Sequence, residues 1–182
     1  MTRALTCAIV AAALALTAAA AQARAQGDLA RVAVAFTPGD DIASLISGHI
    51  AAARRSVRMQ AYLFTDPRIA RALFAARRRG VDVAVIGDAA QQASGGLPWL
   101  APLARAGAHV YLDAGFAAAH EKIVIVDGEL AHAAVITGSY NFTRSAQSRN
   151  AENVVVISGS RAVAGRFIRN FEAHREGARP WP

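Results

Sequence analysis

From residue 32 onward, short apolar runs of strand length alternate with longer stretches whose apolar residues recur at helical spacing. That alternation restricts the chain to an α/β architecture, a mixed β-sheet flanked by helices. Strands are expected over residues 32–36, 56–63, 81–86, 108–112, 120–126, 134–138 and 153–157, with 134–138 pairing back on 120–126 as a hairpin. Asp40 or Asp41 caps a first helix reaching about Arg54, with Ile42, Leu45, Ile46 and Ile50 on one face. Asp66-Pro67 is a cap followed by a proline at the first helical position, and that helix ends at Gly80. Its last turn carries Arg77, Arg78 and Arg79, cations suited to the negative end of the helix dipole and read as a solvated helix end rather than a DNA clamp. A helix is expected over 97–106 and an amphipathic one from Arg161 to about Arg175. The polar stretch 88–96 reads as a mobile loop.

No repeat, linker or domain break interrupts the pattern after residue 27, so residues 27–182 are expected to form one domain around one core. Residues 1–25 differ in kind. Arg3 is followed by a long Ala-rich apolar stretch, and then by Ala21-Gln22-Ala23 and Ala23-Arg24-Ala25, both small-x-small cleavage signals. This reads as a secretory signal peptide, with export to the periplasm or beyond and no stable membrane anchor after cleavage. Cys7, the only cysteine, falls inside it. A mature chain without a thiol suits an oxidising compartment and excludes thiol catalysis and cysteine-ligated zinc. Cleavage after Ala25 leaves 18 basic and 13 acidic residues, a net charge of +5 that favours polyanions.

Of the 20 basic residues one is a lysine, Lys122, and it lies two positions after His120. A compact ammonium, where arginine is otherwise used throughout, points to a pocket that rejects the bulkier planar guanidinium. In a strand, residues two apart share a face, so His120 and Lys122 point the same way. Ser139 and Asn141 share a face in turn if the backbone after Gly138 stays extended. Pairing of the two segments brings a nucleophile, a cation, a hydroxyl and an amide to one end of the sheet, a set suited to a tetrahedral phosphoryl group.

These residues fit His-x-Lys-x4-Asp (His120, Lys122, Asp127) followed by Gly-Ser-x-Asn (Gly138, Ser139, Asn141). On them the chain resembles the phospholipase D superfamily, and in particular its small, secreted, single-motif bacterial endonucleases. The likeness extends to Phe36-Thr37-Pro38, to residues 59–65, to Arg79-Gly80-Val81-Asp82-Val83 and to Asn150-Ala151-Glu152-Asn153. Ten residues separate Asp127 from Gly138, four more than the family pattern, and are read as a longer hairpin tip that includes His132. The resemblance implies the phospholipase D/nuclease-like sandwich and a metal-independent reaction. One histidine forms a phosphohistidine. A second protonates the leaving alkoxide and then activates water. The motif occurs once, which implies a homodimer sharing its active site.

The resemblance also makes Glu152 the candidate for orienting the His120 ring. Strand parity sets Asp127 opposite His120 and Lys122, in a structural role beside Gly128. Thr143 and Arg144 are candidate phosphate contacts, or simply an exposed helix start, and Tyr140 and Phe142 are expected in the core. No metal and no cofactor are expected. The reading is an endonuclease acting on DNA, and in a broader form on RNA. Its rivals are a phospholipase-type lipid phosphodiesterase and a non-catalytic nucleic-acid-binding protein on the same scaffold.

Overall fold

The computed structural model describes residues 30–181; the signal peptide expected over 1–25 lies outside them. Eight strands form one sheet in the order β1-β7-β6-β5-β2-β3-β4-β8. They are β1 (Arg31–Thr37), β2 (Ser56–Ala61), β3 (Asp82–Asp88), β4 (His109–Asp113), β5 (Lys122–Val126), β6 (Ala134–Gly138), β7 (Glu152–Ser158) and β8 (Arg179–Pro180). The β2-β3 and β3-β4 pairs are parallel and all others antiparallel. The helices are α1 (Ile42–Ala52), α2 (Pro67–Arg78), α3 (Ala89–Ala93), α4 (Leu100–Arg105), α5 (Arg144–Ser148) and α6 (Arg161–Gly177). The mixed sheet flanked by helices is the architecture expected from the sequence.

Local signals account for the helix boundaries. Asp41 caps α1 by accepting from Ser44 N at 3.1 Å, and Asp66 caps α2 by accepting from Arg68 N at 2.8 Å, with Pro67 as first residue. The chain leaves α2 through Gly80 at φ +85°, a left-handed position that glycine takes without strain. The arginines of that last turn also bind backbone. Arg79 donates to the Ile50 and Ala53 carbonyls at the end of α1, and Arg77 to Gly107 O.

The core is in two parts because central strands bury both faces. Along β5, Val124 and Val126 pack with Ile46, Ile50, Leu73 and Leu103 of α1, α2 and α4, whereas Ile123 and Ile125 pack with Ala164 and Phe171 of α6. Every residue of β5 is buried, the signature of a strand covered on both sides. The flank formed by β1 and β7 differs. Val32, Val34 and Phe36 on β1 remain 63, 58 and 54% exposed, beside half-buried Val155 and Ile157 of β7.

Two expectations need correction. Residues 88–96 do not run as an open loop. Asp88 Oδ1 accepts from Gln91 N at 2.7 Å and starts the helical turn α3, whose side chains bury nothing and so give no apolar period. His120 lies just before β5, which begins at Lys122. The short strand β8 carries no sequence signal, since only its pairing with β4 defines it.

Candidate active site

The carboxyl ends of β2, β3 and β4 meet the start of β5 and the end of β6, so segments distant in sequence converge at one end of the sheet. Open α/β sheets carry their ligands at such strand ends. Lys122, the first residue of β5, is buried. Its Nζ donates to the backbone carbonyl of His120 at 2.6 Å and lies 3.1 Å from Nδ1 and 3.5 Å from Nε2 of the His120 ring. Burial pushes the Lys122 ammonium below the ordinary lysine range, and the charge of nearby Glu152 opposes that push. His120 itself is exposed.

Sequence reasoning missed the aromatic partner of the pair. Tyr62, just beyond β2, lies with its ring centroid 4.3 Å from that of His120, and the Lys122 ammonium is 5.1 Å from the centre of the Tyr62 ring. Gln91 of α3 donates to the Tyr62 hydroxyl at 2.9 Å. Asp88 Oδ2 accepts from Ala119 N at 2.7 Å and so anchors the residue that precedes His120. On the opposite parity, Glu121 accepts from Gln60 and from Asn170 of α6, which pins this segment from the other face.

Gly138 ends β6 against the backbone of β7. A Cβ there would fall on Asn153 O and 2.9 Å from Val154 Cα, so only glycine lets β6 and β7 approach this closely. Ser139 is fixed by that approach. Its N–H donates to Asn153 O, its hydroxyl accepts from Asn153 N at 3.0 Å, and the hydroxyl donates to Glu152 at 2.5 Å. Glu152 also accepts from Asn150 Nδ2 at 2.8 Å. Within one chain the hydrogen bonds of the Glu152 carboxylate thus run to Ser139 and Asn150, and the contacts of the His120 ring run to Lys122 and Tyr62. The half-buried Asn141 keeps its side-chain oxygen buried without a hydrogen-bond partner among the described residues.

Asp127 points away from this cluster. Its carboxylate is fully buried and accepts from the backbone N–H groups of Arg54, Arg55 and Ser56 and from His132 Nε2 at 3.0 Å. It fastens the α1–β2 connection to the hairpin, and the partners are these amides rather than one near Gly128. His132, in the longer hairpin, completes that anchor. Thr143 caps α5 by accepting from Ala146 N at 3.1 Å, so its hydroxyl serves the helix start; Arg144 is exposed. Tyr140 and Phe142 are buried in the core, as their alternation implied. Among the described residues no three histidine, cysteine or carboxylate side chains converge to hold a metal ion.

Residues 46–175 match the family model described as "Cardiolipin synthase, PLD-like domain". A "Phospholipase D" of Rickettsia bellii is 37% identical over 141 residues, 78% of this chain and 67% of that protein. A "Mitochondrial cardiolipin hydrolase" of Xenopus tropicalis is 35% identical over 120 residues, 66% of this chain and 54% of that protein. Among solved structures, a phospholipase D family member, Nuc from Salmonella typhimurium, superposes with a TM-score of 0.77 at 33% identity, covering 84% of this chain and 99% of that one.

Proposed function

Since the chain belongs to the phospholipase D superfamily and is a phosphodiesterase by that membership, we propose that it is a metal-independent endonuclease that cleaves DNA as a homodimer. The observation that carries the chemistry is the Lys122 ammonium held 3.1 Å from the His120 ring, at the strand end where Ser139, Asn141 and Glu152 also lie. His120 attacks phosphorus, an N–P bond forms, and the P–O bond to the leaving alkoxide breaks. The partner subunit's His120 supplies the proton that the alkoxide takes up. It then removes a proton from water, whose oxygen displaces the imidazole and breaks the N–P bond. Lys122 and the Asn141 amide balance the negative charge on the equatorial oxygens.

Two features support a second copy. The chain carries one such histidine and the reaction uses two. The apolar stripe Val32-Val34-Phe36 is unusually exposed for a soluble surface, and it runs up to the pairs Phe36–Asn153 and Thr37–Glu152 beside the site. The basic charge of +5 expected after cleavage at Ala25 and the small single-motif format favour a nucleic acid. Residues 1–25 direct export, which places the mature domain, 27–182, in the periplasm or outside the cell. A lipid phosphodiesterase is the second reading, favoured by the names of the relatives.

The test is plasmid nicking in EDTA set beside head-group release from phosphatidylcholine and cardiolipin vesicles. Plasmid is cut, chelator changes nothing, and His120→Ala lowers the rate on the order of 10⁴-fold or more, as loss of a nucleophile does. Head-group release without plasmid cleavage would assign the lipid reading instead.

A further inference from the structure

Beyond Asn141 the chain passes directly into a second feature. Phe142 O accepts from Thr65 N and Asp66 N, both at 2.9 Å, which sets the start of α5 beside the start of α2. Between them lies a cleft of about 370 Å³ lined by Asp66, Arg68, Arg71, Arg144 and Gln147. Most of its polar groups are already committed. Asp66 is fully buried and pairs with Arg68, which also binds Asp41. Gln147 accepts from Ala43 N and Tyr140 Oη and donates to Asp40 O. The side chains of Asp66 and Thr143 cap the two helix starts, so free amides are not what the cleft offers.

Arg71 and Arg144 remain. Both are exposed, and neither pairs with a carboxylate among the described residues. Two guanidinium groups without counter-charge line one cleft, one contributed by each helix. Planar forks of this kind suit the paired oxygens of a phosphodiester. Arg144 is three residues from Asn141, at most about 10 Å along an extended chain, and a nucleic acid strand advances about 3.4 Å per nucleotide. We infer that this cleft is a second phosphate site, in which Arg71 and Arg144 hold a backbone phosphate of the same strand a few nucleotides from the scissile bond. The inference rests on the nuclease reading. It explains how a site contacting one phosphate would engage a polymer.

The experiment compares wild type, the Arg71→Gln/Arg144→Gln double variant and an Arg105→Gln control on α4. Substrates are a single-stranded oligonucleotide and bis(p-nitrophenyl) phosphate, which has no second phosphate. For the double variant KM on the oligonucleotide rises roughly five- to tenfold at moderate salt, and the slope of log KM against log salt falls by about 0.7. Its kcat and its kinetics on the small diester stay at wild-type values, and the control matches wild type on both substrates. Unchanged oligonucleotide KM and salt slope would overturn the cleft while leaving the nuclease standing. An equal loss on both substrates would place the arginines at the reacting phosphate and overturn it too. A wild type that leaves both the oligonucleotide and plasmid intact would remove the nuclease reading, and this site with it; one that cuts plasmid but not the oligonucleotide would overturn the same-strand site alone.

Discussion

Asp127 belongs to the motif that marks the site, yet its carboxylate binds backbone amides on the other side of β5. Replacing it with asparagine therefore tests whether a motif residue serves stability or chemistry. One oxygen remains to accept from Arg55 and Ser56, but those bonds lose their charge assistance, a loss of about 1 kcal/mol. The new NH₂ group replaces the oxygen nearer Arg54 N and His132, so the Arg54 amide keeps only its longer 3.2 Å bond to the remaining oxygen and His132 loses its acceptor, which costs roughly 1–3 kcal/mol more. The expected loss is about 2–4 kcal/mol, or roughly 5–15 °C in Tm for a domain of this size. Urea and thermal melts measure it. The kcat of the folded fraction, assayed well below Tm, stays within about threefold of wild type. The pH dependence adds a second readout. Burial alone would raise the Asp127 carboxyl, but the Ser56, Arg54 and Arg55 amides and His132 outweigh it and hold it below the ordinary 3.8. A depressed carboxyl stabilises the fold above its unfolded value, and that stabilisation is lost as pH falls through the folded value. The gap between wild type and Asp127→Asn should therefore close below about pH 3.8. An unshifted Tm together with a large loss of kcat would refute this assignment and return Asp127 to the chemistry.

The buried Lys122 ammonium, pushed below 10.5, gives kcat/KM an alkaline fall that begins under that pH; a profile flat to pH 10.5 would contradict it. Lys122→Arg keeps the charge but not the fit, and should lower cleavage on the order of 10²-fold with the fold retained by circular dichroism. Gly138→Ala drives a methyl onto the backbone of Asn153 and Val154 and should cost at least about 2–3 kcal/mol in a denaturant melt. Val34→Glu places a charge in the exposed stripe of β1; sedimentation should find a folded monomer, and plasmid cleavage should be lost. A fully active monomer would defeat the shared-site reading.

The parts of the fold legible in the sequence are those whose signals are local. Asp66-Pro67 marks the start of α2, Gly80 its exit, and the apolar run 134–138 falls on β6 residue for residue. His120, Lys122, Gly138, Ser139 and Asn141 were legible because their spacing is carried by one hairpin. What was hidden depends on residues brought together from far apart. Tyr62 is 58 positions from His120 and in sequence is one aromatic within an apolar run. Asp88 is a helix cap and a loop anchor at once, and its second bond, to Ala119, has no sequence trace. The amide partners of Asp127 lie more than 70 residues before it, so parity could set its direction but not name them.

The Lys122 ammonium is bonded to the carbonyl of the same histidine whose ring it touches. Imidazole and cation are thereby tethered as one reagent. When the strand-entry segment shifts, both travel together, and their mutual spacing survives displacements that would separate groups mounted on different elements. Perturbations of the Asp88–Ala119 anchor should then change how readily a diester reaches the ring, while the ring's local reactivity stays constant.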